Sequence, residues 1–471
     1  MLKEPPQSVV AWSDPRLRAG YFAIILAAVI GFLLLSRVFI NSDEYLFAGQ
    51  ARTLLQGRLL PIDGDPLPGA ADPLHSSEGV RFPPGWPLLL VIGALWGVRG
   101  MFVITLAAHL MGGAAVARMM VRRGLPSVLA AVWLFHPLFW SFSRTLMSDI
   151  PATALLLLAM DAWENGRLKT ASAVLAYSFL IRIASFNAVA GFALAVNGQI
   201  RKNRRALLTL MLGIASGAVA ILLVNWDLYG HPLRTGDSSH PSLLTTHMLG
   251  ENTLLYVLGL VLIPPFPLLC LLLRPRSCDR WALLAVPVLL FFVFWGYHEQ
   301  SPRLLETFLG GQRYILAAHA ALLIATASVW SRIPLVRFTP ALLAAGVVGV
   351  TIQYFSIKHL VNRYEPAAAA VASCHPTTVA YNQYASRVAL SSEAKSYHLV
   401  GDREPPVLPD IVVISFRQLT NRFSTPVTFR LPDWVRRYSS NCQSYGEFLV
   451  FDLVGQCSRT GNTCFFPSET R

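Results

Sequence analysis

Apolar runs dominate the first three quarters of the chain. They fall at 21–40, 102–121, 125–142, 150–163, 170–183, 185–199, 206–225, 253–273, 281–296, 314–330 and 339–357. A helix needs about 20 apolar residues to cross the hydrocarbon of a bilayer. Several of these runs are shorter, so the pattern predicts kinked or partly protein-buried helices among them. A further run, 84–97, is opened by Pro83, Pro84 and Pro87 and predicts a helix lying in the membrane interface rather than a crossing. Beyond residue 357 the pattern changes to short strand-like runs, YHLV around 398, DIVVISF at 410–416 and EFLVFDL at 447–453, broken by Pro and Gly. The expected fold is an all-α polytopic membrane protein of about eleven transmembrane helices with a small C-terminal α/β domain. Its divisions are 1–20 inside the cell, 21–357 in the membrane with a first outer loop at 41–101, and 358–471 outside.

Composition agrees with this reading. Hydrophobic residues make up 54% and charged residues 14%, where a soluble chain carries roughly a quarter charged. The net charge of +13 would suggest nucleic acid in a soluble protein, but here its distribution follows the positive-inside rule and no nucleic-acid partner is expected. With 84–97 not crossing and the N-terminus inside, the inner loops hold 17 basic residues and five acids, and the outer loops eight and 12. If 84–97 crossed, the basic clusters after it would change sides and the bias would break. The N-terminus shows no cleavable-signal pattern, so the first apolar run is expected to stay as an anchor. Cys374, Cys442, Cys457 and Cys464 lie in the tail, where an oxidising space favours disulfides, with pairing expected within the last three and Cys374 available to a second bridge.

The outer face collects the candidate chemistry. Asp43 and Glu44 open an amphipathic helical run, DEYLFAGQARTLLQG. Acids where a bilayer meets water are costly and usually functional, although a helix start also favours them as caps. Asp149, in SRTLMSDIPATA, precedes Pro151 and has the same two readings, a site carboxylate or a helix cap shared with Ser148. Arg313 opens a late apolar run, Arg303 lies ten residues earlier, Arg182 ends a short one, and Arg81 precedes Phe82-Pro83-Pro84. Guanidinium forks suit phosphate, and the plainer alternative is snorkelling to headgroups. His231, His240 and His247 are not at ordinary metal-ligand spacings.

The order of these motifs resembles a known family. Asp43-Glu44 with Phe47, Gln50-Ala51 and Gly57 follows the first run, then come the basic Pro-Pro segment, Ser143-Arg144 with Asp149, the Tyr229-Gly230-x-Pro232 loop with Thr235-Gly236, and Gln312-Arg313-Tyr314. This is similar to the GT-C membrane glycosyltransferases, in particular those related to protein O-mannosyltransferases and lipid A aminoarabinose transferases. It departs from them at Phe82, where many members have Lys before Pro-Pro, and at Arg182, where many have Lys. The resemblance implies a multi-pass protein of the bacterial inner membrane. It would transfer a sugar, with inversion, from a polyprenyl-phosphate donor to a lipid, glycan or protein acceptor on the outer face. Asp43 matches the catalytic aspartate, Glu44 its neighbour, Asp149 the second-loop acid and Arg313 the residue that meets donor phosphate. Arg81, Arg182 and Arg303 are further phosphate candidates. Whether a divalent cation, Mg or Mn, bridges Asp43, Asp149 and phosphate is open on the sequence. The rival class is a lipid-linked sugar flippase or transporter, but no inverted repeat with matched broken helices is visible.

The charge bias predicts that a reporter active only outside the cytoplasm, fused after Arg471, gives signal. Signal from a reporter active only in the cytoplasm would overturn the eleven-span topology.

Overall fold

The computed structural model describes residues 13–35, 42–55, 83–233, 248–263, 265–295, 310–330, 366–381, 395–398, 408–415, 433–445 and 448–455, with single positions between them. The chain divides into two compact units, one of 1–35 and 82–352, the other of 36–81 and 353–471. Arg81, Arg303 and the predicted segment 339–357 lie outside the described residues.

The first unit is helical. Its helices are α1 (Arg18–Leu33), α3 (Gly85–Ala94), α4 (Gly97–Arg122), α5 (Ala131–Leu134), α6 (Pro137–Phe142), α7 (Asp149–Glu164), α8 (Leu168–Ile181), α9 (Ser185–Ile200), α10 (Arg204–Tyr229), α11 (Leu249–Leu262), α12 (Pro267–Leu273), α13 (Ala282–Val293) and α14 (Leu316–Ala325); α2 (Ser42–Leu55) belongs to the second unit. Among the described residues three helices, Pro15–Leu33, Gly97–Arg122 and Arg204–Asp227, are long and apolar enough to cross a membrane, or four if α11 and α12 form one bent span. The other predicted runs form shorter helices. The run at 125–142 breaks where His136 is extended and Pro137 starts α6, because proline suits a first helical turn and not an interior. The run at 84–97 contains α3, ten residues or about 15 Å long, which is half of a hydrocarbon core. It turns at Gly97, whose φ of +74° is open to glycine at little cost, directly into α4.

Close helix contacts depend on small residues. A Cβ added at Gly213 or Gly217 of α10 would lie 2.6 Å from the Ser172 Cβ or 2.7 Å from the Ala176 carbonyl oxygen of α8. Such small-xxx-small spacing lets two backbones approach, which is how helices associate where lipid gives no hydrophobic drive.

Charges collect at the two ends of α7. At its C-terminal end Arg118 and Arg122 of α4 meet Asp161 at 3.5 and 2.5 Å, and Arg122 also meets Glu164 at 3.3 Å. Arg123 bridges Glu164 at 2.5 Å and Asp279 at 2.8 Å, and the Trp281 indole N–H donates to Glu164 at 2.7 Å. The sequence places these arginines among the loop charges of the inner face. Instead the Arg118 and Arg122 side chains are 3% and 2% exposed and are held by acids. Acids at a helix C-terminus oppose the dipole, and the arginines offset that.

The second unit contains a six-stranded sheet of order β2-β1-β3-β5-β4-β6. Its strands are β1 (Thr378–Tyr381), β2 (Lys395–His398), β3 (Ile411–Ser415), β4 (Asn441–Tyr445), β5 (Phe448–Asp452) and β6 (Asn462–Thr463). β1 pairs in parallel with β2 and β3, and the remaining pairs are antiparallel. The runs expected at 398, 410–416 and 447–453 are β2, β3 and β5. Polar β4, NCQSY, buries Gln443 and Cys442 packs at its edge of the core, so it gives no alternating apolar signal. Cys374, expected to be available to a second bridge of the tail, is bonded to Cys457. Cys442 is also disulfide-bonded, and Cys270 and Cys278 are free.

Asp410 fastens β3 to β1. Its carboxylate accepts from the Thr377 amide at 2.7 Å, the Thr377 hydroxyl at 2.6 Å and the Thr378 amide at 3.1 Å. Burial alone would raise this carboxyl, but the Thr377 and Thr378 hydrogen bonds outweigh it and hold it below the ordinary range. A depressed carboxyl stabilises the fold above its unfolded pKa of about 4, and the gain is lost as pH falls through the lower folded value. Exchange protection of the Thr377 and Thr378 amides, corrected for intrinsic rate, should therefore drop on acidification below about pH 4. Asp410→Asn should show the reduced protection already at pH 6. Equal protection in both proteins from pH 6 to pH 3 would overturn this.

Candidate active site

Three of the sequence-predicted residues meet in one cavity of the helical unit. It is partly open to solvent, and its polar lining includes Asp149, Arg182, Arg313, Tyr314, Thr153 and Ser185. Each arrives there for a local reason. Asp149 is the first residue of α7, and Ser148 at the cap makes no side-chain capping bond. The Asp149 side chain, 2% exposed, is instead ion-paired through Oδ1 with Arg182 Nη1. Capping therefore does not account for this acid. Its place in the first turn also sets a negative charge at the positive end of the helix dipole.

Arg182 ends α8. Its backbone is extended, with φ −157° and ψ 123°, while its amide still donates to the Ser178 carbonyl at 3.0 Å. That break turns the guanidinium away from the helix line and toward Asp149. Its side chain keeps 22% exposure, so it is paired and still reachable. Gly85 sets the same end of α8 against the Pro-Pro segment. The Tyr177 hydroxyl donates to the Gly85 carbonyl at 2.9 Å, and a Cβ on Gly85 would sit 2.5 Å from the Leu180 carbonyl oxygen. Next to it the buried Trp86 donates its indole N–H to the Leu146 carbonyl at 2.6 Å, fixing the approach to Asp149.

Arg313 opens a short 3-10 turn, Arg313–Ile315, that leads into α14. It is 7% exposed and donates to the Tyr314 hydroxyl at 2.9 Å. Its guanidinium carbon lies 4.9 Å from the Tyr314 ring centroid, and that of Arg182 lies 6.0 Å from it. Both guanidinia thus approach the same Tyr314 ring. The sequence reading missed it as a site residue. The available signal was an aromatic ring directly after a buried arginine, a pair suited to cation–π contact. Among the described residues the cavity therefore gathers one carboxylate and two guanidinia against a mostly apolar wall.

Asp43 and Glu44 lie in α2 of the other unit, in its first turn as expected. Asp43 is half-buried and Glu44 fully buried, on one helical stripe with Phe47, Ala48 and Ala51. The spacing of that stripe, three, four and seven residues on, is the amphipathic pattern of the sequence. Among the described residues the cavity offers one carboxylate, Asp149, already held by Arg182, and no three His, Cys, Asp or Glu side chains are grouped to hold a metal.

No protein-family profile matches the chain, and no curated protein matches it in sequence. Solved structures share its fold, two of ArnT among them. One is ArnT from Cupriavidus metallidurans bound to undecaprenyl phosphate, with TM-score 0.59 and 12% identity over 92% of this chain and 98% of that one. The other is ArnT from the same organism in the apo state, with TM-score 0.58 and 12% identity over 92% and 97%. The GT-C fold expected from the motif order is the fold of this chain.

Removing the acid of the ion pair should be costly. Asp149→Ala leaves Arg182 partly buried without its carboxylate. The expected loss is roughly 2–4 kcal/mol of stability, below the ~3–5 of a fully buried pair because of the arginine's remaining exposure. The double variant Asp149→Asn, Arg182→Gln should recover part of that loss, since neither charge is then stranded. Thermal unfolding in detergent reads both. An unchanged midpoint in Asp149→Ala would show that the pair does not stabilise the bundle.

Proposed function

In a chain with the fold of ArnT, we propose that the cavity receives the phosphate of a polyprenyl-phosphate sugar and that the protein is an inverting glycosyltransferase acting at the outer membrane face. The observation that carries this is that the guanidinia of Arg182 and Arg313 both approach the Tyr314 ring in one cavity with Asp149, in a fold also found in a protein solved with undecaprenyl phosphate. A lipid phosphate is the anion such a site meets at membrane depth.

The charge balance suits the reaction. The donor is a phosphodiester with one negative charge. As the bond between the anomeric carbon and the phosphate oxygen breaks, the electron pair leaves with the phosphate and its charge grows toward two. Arg313 holds the donor phosphate in the ground state. Arg182, restrained by Asp149, is the second guanidinium available to the growing charge. Arg81 and Arg303 are further phosphate contacts in this reading. Asp43 takes the proton of the acceptor hydroxyl or amine as the acceptor attacks the anomeric carbon from the opposite face. One displacement inverts the configuration, and no covalent glycosyl-enzyme is formed. Glu44, buried on the stripe of α2, orients that helix and its catalytic neighbour. The acceptor is a lipid, glycan or protein surface carrying such a group.

Asp43→Asn keeps the shape and most of any capping ability but loses the base. Transfer from polyprenyl-phosphate sugars in vesicles should fall by a factor on the order of 10² or more, while undecaprenyl phosphate binding survives. Arg313→Ala should weaken that binding as well, because a phosphate contact is made in the ground state too. Full transfer activity in Asp43→Asn would remove the base and bring a lipid-sugar flippase forward, which lipid translocation without transfer would then show.

A further inference from the structure

Behind Arg313 lies a second layer of polar groups that faces away from the cavity. Gln312, fully buried, precedes it at the start of the 3-10 turn. Its side-chain amide is held from two sides. Nε2 donates to the Leu255 carbonyl of α11 at 2.7 Å, and Oε1 lies 3.0 Å from His319 Nε2 on α14. The directions are fixed by chemistry. A backbone carbonyl only accepts, so the amide NH₂ must face Leu255 and the amide oxygen must face His319. His319 must then carry its proton on Nε2. Its other nitrogen, Nδ1, is buried with no hydrogen-bond partner, as a neutral ring with that tautomer allows. Gly259 leaves the room, because a Cβ there would lie 2.0 Å from Gln312 Oε1.

We propose that His319 and Gln312 are positioning residues, a buried relay that fixes the backbone at Arg313 and so aims its guanidinium at the phosphate. The inference rests on the assignment of Arg313 to phosphate binding. An amide buried in an apolar bundle is costly unless satisfied, and here each of its ends is tied to a different helix. α11 and α14 therefore lock the residue directly before Arg313. Arg313 and Tyr314 follow with almost no backbone freedom, which keeps the guanidinium 4.9 Å over the ring. An interaction of this kind acts on binding without touching the ligand.

The test is the affinity of the full-length protein, in nanodiscs of fixed lipid composition, for undecaprenyl phosphate. Arg313→Ala sets the scale and should weaken binding by at least about tenfold. His319→Leu keeps the volume but strands the Gln312 oxygen, and should weaken binding by roughly fivefold to tenfold. His319→Gln restores an N–H at the Nε2 position and should come back to within about threefold of the native protein. Gly259→Ala, which only displaces the Gln312 side chain, should resemble His319→Leu. It provides the same reading from α11 if the histidine variants do not fold. Native affinity in His319→Leu and Gly259→Ala alongside weak binding in Arg313→Ala would overturn the relay alone. Equal losses in His319→Leu and His319→Gln would assign the histidine to packing and overturn it too. Native affinity in Arg313→Ala would overturn the phosphate assignment, and the relay with it.

Discussion

A charge placed among apolar helices has to be paired, and α7 is the element on which this chain meets that requirement. At its first residue Asp149 holds Arg182 from the end of α8. About 18 to 22 Å further along, Asp161 and Glu164 hold Arg118, Arg122 and Arg123 from the end of α4. Stranding either partner of such a pair costs several kcal/mol. The two clusters therefore fix which helices can neighbour α7 and in what register. The cavity lined by Asp149, Arg182 and Arg313 depends on that placement.

The two ends differ in a way that matters for function. At the C-terminal end arginines and acids are matched and nearly sealed, and a tryptophan N–H takes up more of Glu164. At the N-terminal end Asp149, Arg182 and Arg313 line a partly open cavity, and Arg182 keeps some exposure. A closed cluster stabilises packing, whereas charged groups gathered in a cleft are where chemistry is usually found.

The second layer at Gln312 and His319 is built of neutral groups. The Arg313 guanidinium donates to the Tyr314 hydroxyl, and the Gln312 amide directly before it is held between the Leu255 carbonyl and His319.

The sequence alone determined the class of protein, the helical membrane part and polar tail, α2 with its two acids, strands β2, β3 and β5, and Asp149, Arg182 and Arg313 as residues that need an explanation. These are legible because hydrophobic periodicity and the cost of charge in lipid act locally, on the residue and its near neighbours. What the tertiary structure decided was partnership. Nothing in the sequence pairs Asp149 with a residue 33 positions later, turns the arginines of α4 onto acids of α7, or joins Cys374 to Cys457 across 83 positions. Polar β4 and the buried Gln312 were silent for the same reason. Their burial is made by neighbours distant in the chain, and a polar residue satisfied by such neighbours reads in sequence like one exposed to water.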